Sequence, residues 1–202
     1  MDLHLFFLFG PVGGDKQTHA ILLADTFDQP VRVISIGREI SRWRSFPREY
    51  ELLESQYINN KDYSFSRFYE EIVAGLEKNK DLSFIFPDLL NEDEDLRKIF
   101  RTVREVGAEQ IMMDFVHLNT NSEGAEISGS SHEKFLERWN NSQQIQKALI
   151  DVIKKSNLNI DLCEIDANRA TAEVQEDLRR ELSRRTTFKE RDLTVIPRPE
   201  LF

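Results

Sequence analysis

The chain has 202 residues, enough for one domain over 1–202, with 40% hydrophobic residues and 10% aromatics to fill its core. A net charge of −9 excludes broad nucleic-acid binding, which needs a basic surface to displace counterions, yet leaves room for a basic pocket around one polyphosphate. The single cysteine, Cys163, excludes an internal disulfide and suits a reducing compartment, so a cytoplasmic protein is expected.

Leu3–Phe9 is an apolar run too short to span a bilayer, and no other segment suggests a membrane partner. Without a basic flank or a small-residue cleavage site it does not read as a secretory signal, and it is predicted as a buried strand. A glycine-rich turn follows, and then a helix over 16–27. Val31–Ser35 reads as a second strand, and 38–57 as helical but split at Pro47. In 64–79, Phe65, Phe68, Tyr69, Ile72, Val73 and Leu76 form an apolar stripe at helical spacing. Ser83–Phe86 is the third strand. The helix predicted over 92–106 opens with Glu92, Asp93, Glu94 and Asp95, acids suited to the positive end of a helix dipole. Gln110–Phe115 is the fourth strand, 131–155 a long helix, and Ile160–Ile165 the fifth strand. The last helix, 171–184, takes Thr171 as its N-cap and ends on Arg184 and Arg185, the favoured charge there. The tail Thr186–Phe202 reads either as an extended arm packed on the domain or as a segment that binds a protein partner.

Strands alternating with helices predict an α/β fold, with a five-stranded parallel sheet covered by helices on both faces in three layers. Ligands of such sheets collect at the carboxyl ends of the strands. That rim would carry the glycine-rich turn, Ser35–Gly37, Pro87–Asp88 and the stretch after Asp114.

The turn is Gly10-Pro11-Val12-Gly13-Gly14-Asp15-Lys16-Gln17-Thr18. A phosphate needs many short-range donors and little bulk, which glycines, successive N–H groups and a helix N-terminus provide. Gly10, Gly13 and Gly14 supply bare backbone, Lys16 the charge for outer phosphates, and Thr18 a hydroxyl for Mg²⁺. The strict pattern G-x(4)-G-K-[ST] is not met, since Asp15 stands at its last glycine and Gln17 at its hydroxyl.

The stretch from Phe9 to Ala20 resembles the first loop of adenylate kinases and related nucleoside monophosphate kinases, G-x-P-G-x-G-K-G-T-Q-A, with the threonine two places after the lysine. Val12 replaces the proline, Asp15 and Gln17 two glycines, and His19 the glutamine. Ile34-Ser35-Ile36-Gly37-Arg38-Glu39-Ile40 is similar to that family's I-S-T-G-D turn, and Ile85–Asp88 falls at its D-G-F-P-R. The segment from Arg138 to Leu182, with Ile165-Asp166-Ala167, resembles its C-terminal helix–strand–helix.

The resemblance implies a P-loop NTPase fold using ATP and Mg²⁺ to phosphorylate a small phosphorylated acceptor. It implies that Gly10 through Thr18 hold the nucleotide and that Lys16, Arg138 and Asp88 serve catalysis. Thr18 and Asp88 would hold the metal, the latter through water; Asp88 is equally a cap for the following helix. Gly37, Arg38 and Arg42 would hold the acceptor within a helical subregion of about 37–80, joined by Arg44 and Arg48. Trp43, Phe65, Phe68 and Tyr69 there would pack or stack a base. About 116–133 would form a short lid-like loop, but no arginine occurs from Glu105 to Glu137, and the family's R-x-x-G-R lid signature is missing. Asp114 reads as capping or pairing at a strand end, and His19 as a surface residue. His4, His19, His117 and His132 show no metal-ligand spacing. Two functions follow: an active nucleotide kinase, or a catalytically silent nucleotide-binding or scaffold protein, favoured by Asp15, Gln17 and the arginine-free lid.

Overall fold

The computed structural model describes residues 3–11, 14–27, 31–35, 68–70, 73–74, 83–87, 89–90, 93–105, 111–121, 132–155 and 160–184. Their elements in chain order are β1 (Leu3–Phe9), α1 (Lys16–Ala24), β2 (Val31–Val33), β3 (Ser83–Phe86), α2 (Asp93–Glu105), β4 (Ile111–Asn119), α3 (His132–Lys155), β5 (Ile160–Asp166) and α4 (Thr171–Ser183). Residues 68–70 and 73–74 are also helical. The expected helix over 38–57, its break at Pro47, and the tail 186–202 lie outside the described residues.

The five strands form one sheet in the order β2-β3-β1-β4-β5, and every pairing is parallel. Central β1 is buried from His4 to Phe9, and apolar there except for His4, because both its faces are covered. Leu5, Phe7 and Phe9 face a core with Leu96 and Ile99 of α2 and Leu149 and Ile153 of α3. Phe6 and Leu8 face the other core, with Ala20 and Leu23 of α1 and Val174, Leu178 and Leu182 of α4. The layers are therefore helix, sheet and helix. Phe7 stacks between Phe86 and Phe115 at ring separations of 5.2 and 4.9 Å. Each such buried side chain contributes about 1.5–3 kcal/mol by leaving water. Phe68 belongs to this core, packed on Phe7 and Phe86, whereas Tyr69 is exposed.

Several boundaries differ from expectation, and α1 ends at Ala24 rather than at 27. β2 stops at Val33, although Ile34 still donates its N–H to Ile85 O at 2.9 Å. The cap of α4 is Ala170, whose N–H is held by Glu173 Oε2 at 3.2 Å; Thr171 begins the helix proper. Most consequential, β4 continues past Phe115 to Asn119. Asp114 is therefore mid-strand and buried, paired in register with Phe6 and Asp161, rather than at the ligand rim. The segment assigned to a lid from residue 116 starts as sheet.

Candidate functional site

Because all strands run the same way, their carboxyl ends form one rim, and the turn after central β1 lies on it. Gly10 is needed there for space: a Cβ would lie 2.4 Å from Leu118 O, so the backbones of β1 and β4 could not approach as they do. The Gly14 N–H closes the turn on Pro11 O at 3.3 Å. Asp15 follows with φ 42° and ψ 37°, in the left-handed region that glycine favours and Asp tolerates. It is the N-cap of α1 by backbone alone, since its side chain makes no capping hydrogen bond and is exposed. Asp15 O accepts the His19 N–H at 3.1 Å, opening the helix.

Lys16 reaches back across this turn. Its Nζ donates to Gly10 O and to Pro11 O, each at 3.0 Å. Two carbonyls thereby fix an ammonium at the mouth of a glycine-lined turn and at a helix N-terminus, where the helix dipole adds positive potential. In the described part of the turn, Asp15 stands in left-handed backbone, the conformation of a glycine. Its carboxylate is solvated, which screens the repulsion that its sequence position suggests.

Of the other expected site residues, Gln17 is half-buried and Thr18 exposed, both in the first turn of α1. Val12, Gly13, Gly37, Arg38, Arg42 and Asp88 lie outside the described residues. Arg138 is exposed on α3. Gln143, further along α3, donates to Thr120 O at 3.4 Å, tying that part of the helix to the end of β4. Arg138 lies five residues nearer the helix start, roughly 7.5 Å further out along its axis. No described contact joins it to the turn.

His19 corrects the expectation of a surface residue. With Ala20 and Leu23 it forms the buried stripe of α1, which packs on α4. Gln175 of α4 donates Nε2 to His19 Nδ1 at 2.8 Å and to His19 O at 3.1 Å. An accepting Nδ1 leaves the ring proton on Nε2. Burial holds the imidazole pKa below its usual value, and the nearby Asp15 carboxylate acts in the opposite sense. The signal lay in the four-residue spacing of His19 and Leu23 along one helical face.

The rim also carries residues whose place was not legible in the sequence. His117 in β4 is buried, stacked on Phe9 at 5.1 Å, with Nε2 3.0 Å from Gln146 Oε1 and Nδ1 3.8 Å from Glu164 Oε2. The turn after β5 is bound to the end of β4: Ala167 donates to Asn119 O at 2.8 Å, and Asn121 donates to Asn168 Oδ1 at 2.6 Å. Asp166 is held below the usual carboxylate range, first by the Asn168 N–H and then by the Asn168 side chain. Asp177, bonded to both Arg169 and Arg180, is lowered chiefly by the Arg169 hydrogen bond. A groove of about 580 Å³ runs along β5 and α4, between Cys163 and Asp177, but its lining contains no residue of the glycine-rich turn.

The arrangement of an all-parallel sheet ordered β2-β3-β1-β4-β5, with a lysine-bearing turn leading from the central strand into a helix, is that of the P-loop NTPase fold. No protein-family model and no curated protein matches the sequence. Among solved structures, a shikimate kinase from Aquifex aeolicus is similar over 91% of this chain and 98% of its own, at 11% identity and a TM-score of 0.49. A likeness at that level bears on neither activity nor substrate, and the fold rests on the topology above. Among the described residues no helix is long and apolar enough to cross a membrane.

Proposed function

We propose that the chain is an ATP-dependent phosphotransferase of the nucleotide-kinase type, moving the γ-phosphoryl group of ATP to a nucleoside monophosphate or a similar small phosphorylated acceptor. The observation that carries this reading is the pair of 3.0 Å bonds fixing Lys16 Nζ across the glycine-rich turn, with Asp15 held in a glycine's conformation.

Phosphoryl transfer asks for positioning and positive charge more than covalent chemistry. An acceptor phosphate oxygen attacks the γ-phosphorus while the bridge to the β-phosphate breaks, yielding ADP and a diphosphate. The backbone of Gly10 to Thr18 would cradle the donor phosphates, and Lys16 would hold them against the loop. Arg138 would meet the charge on the migrating group, and Gly37, Arg38 and Arg42 would seat the acceptor. Thr18, in the first turn of α1, offers an exposed hydroxyl to a divalent cation. Mg²⁺ would accordingly rest on phosphates, water and the exposed Thr18 hydroxyl, with Asp88 acting through water. The cation supplies charge neutralisation between the phosphates when bound. A cytoplasmic setting, with small-molecule rather than nucleic-acid partners, accompanies this reading.

A coupled assay with ATP, Mg²⁺ and a panel of monophosphates tests it. Turnover that disappears in Lys16→Ala is expected; no turnover above that variant with any acceptor would refute it. Saturable Mg·ATP binding without turnover would instead assign the silent nucleotide-binding role.

A further inference from the structure

Directly beneath the glycine-rich turn, the end of β4 holds a polar atom that the resting structure does not use. Thr120 is 7% exposed, and its hydroxyl is buried without a hydrogen-bond partner. Its Cγ2 would stand 3.5 Å from a Cβ at Gly14, so the side chain packs against the turn itself. Its carbonyl is held from the other side by Gln143 Nε2 at 3.4 Å. Thr120 is thus wedged between the turn and α3. A buried hydroxyl without a partner is a cost to the resting fold, and valine would fill the same space without it.

The geometry points to Thr120 as a positioning residue for the anion-loaded turn, its hydroxyl donating to a backbone carbonyl of the turn once a polyphosphate is bound. This rests on the nucleotide-binding reading above and specifies how the turn is held in its working shape. When successive N–H groups turn inward to an anion, the carbonyls of the same peptides turn outward. On the β4 side, the turn's described glycines, Gly10 and Gly14, lie against Leu118 and Thr120. Trp139, four residues before Gln143 and so on the same helical face, carries an indole N–H that is likewise buried without a partner.

The experiment compares wild type, Thr120→Val and Thr120→Ser by thermal unfolding without ligand and by calorimetric titration with Mg·ATP and with tripolyphosphate. Valine should leave the ligand-free midpoint unchanged or raised, because it removes an unsatisfied group. It should weaken binding of both ligands roughly three- to tenfold, the worth of one hydrogen bond. Serine should restore wild-type affinity to within about twofold. Equal effects on both ligands place the device at the phosphates, whereas an effect on Mg·ATP alone overturns that placement. Unchanged affinity in Thr120→Val overturns the inference while leaving nucleotide binding intact. A valine variant that melts earlier or fails to fold overturns it too, by showing that the hydroxyl already has a resting partner. Wild type that binds neither ligand removes the nucleotide reading and this inference together.

Discussion

Asp15 combines a backbone conformation and a charge that a short series of variants can separate. Its φ of 42° lies where an L-residue pays roughly 1–2 kcal/mol, less for Asp than for most. Because its side chain makes no capping bond, replacing it forfeits none of the usual N-cap stabilisation. Alanine normally stabilises relative to glycine by about 0.4–1 kcal/mol through the unfolded chain, but here the order should invert. Asp15→Gly should melt above Asp15→Ala by roughly 2–4 °C, corresponding to about 1 kcal/mol in a chain of this size. Asp15→Asn keeps the tolerance for left-handed backbone and removes only the charge. The carboxylate is exposed, so its repulsion of a polyphosphate is that of charges in near-bulk water, about 1 kcal/mol at contact. Calorimetry should therefore show Asp15→Asn binding Mg·ATP roughly two- to fivefold more tightly at low salt, with the gain fading as salt rises. Asp15→Ala melting with or above Asp15→Gly would refute the backbone argument. An unchanged affinity in Asp15→Asn would refute the electrostatic one.

Gly10→Ala should destabilise the fold by about 1–3 kcal/mol in denaturant unfolding, because its Cβ would meet Leu118 O at 2.4 Å. Gly14→Ala, whose nearest neighbour would be Pro11 O at 3.4 Å, should lose much less. For His19, burial lowers the folded-state pKa below the ordinary imidazole value of 6.5, so the unfolded chain binds the proton more readily. Its contribution is then complete above pH 6.5 and is lost as acid carries the pH down through the folded-state value. Wild type should lose more thermal stability between pH 7.5 and 5 than His19→Gln does. Cys163, pushed up to about 12 chiefly by burial and secondarily by the carboxylates of Glu181, Asp114, Glu164 and Asp177, should resist alkylation at pH 8. It should react once urea unfolds the chain, as mass spectrometry would show.

The fold was legible wherever a strand is buried on both faces. Leu3–Phe9 and Ser83–Phe86 are mostly apolar runs, with His4 and Ser83 their only polar residues, and their observed limits match expectation. The same rule ended β4 too early, because His117 and Asn119 interrupt the run. Those residues stay in the strand through partners distant in sequence, Gln146 for the His117 ring and Ala167 for the Asn119 carbonyl. The partner of His19 was hidden for the same reason, since Gln175 lies 156 residues further along the chain. In the turn, residue types announced Lys16 and the glycines. They could not reveal that Asp15 adopts a glycine's backbone, nor that its carboxylate faces solvent, because both depend on the course of the chain.

The sheet order also sets a schedule for biosynthesis. β1 is made first, yet its partners are Phe84 to Phe86 on one side and Ile111 to His117 on the other. At about 5–20 residues per second, translation delivers β4 roughly 5–20 s after β1. Until β3 has been made the strand has neither neighbour, and from then until β4 follows it has only one. The turn shares the delay, because the floor under Gly10 and Gly14 is the end of β4. A nascent chain stalled before residue 83 would thus present an unpaired, phenylalanine-rich strand to the ribosome exit and to any chaperone stationed there.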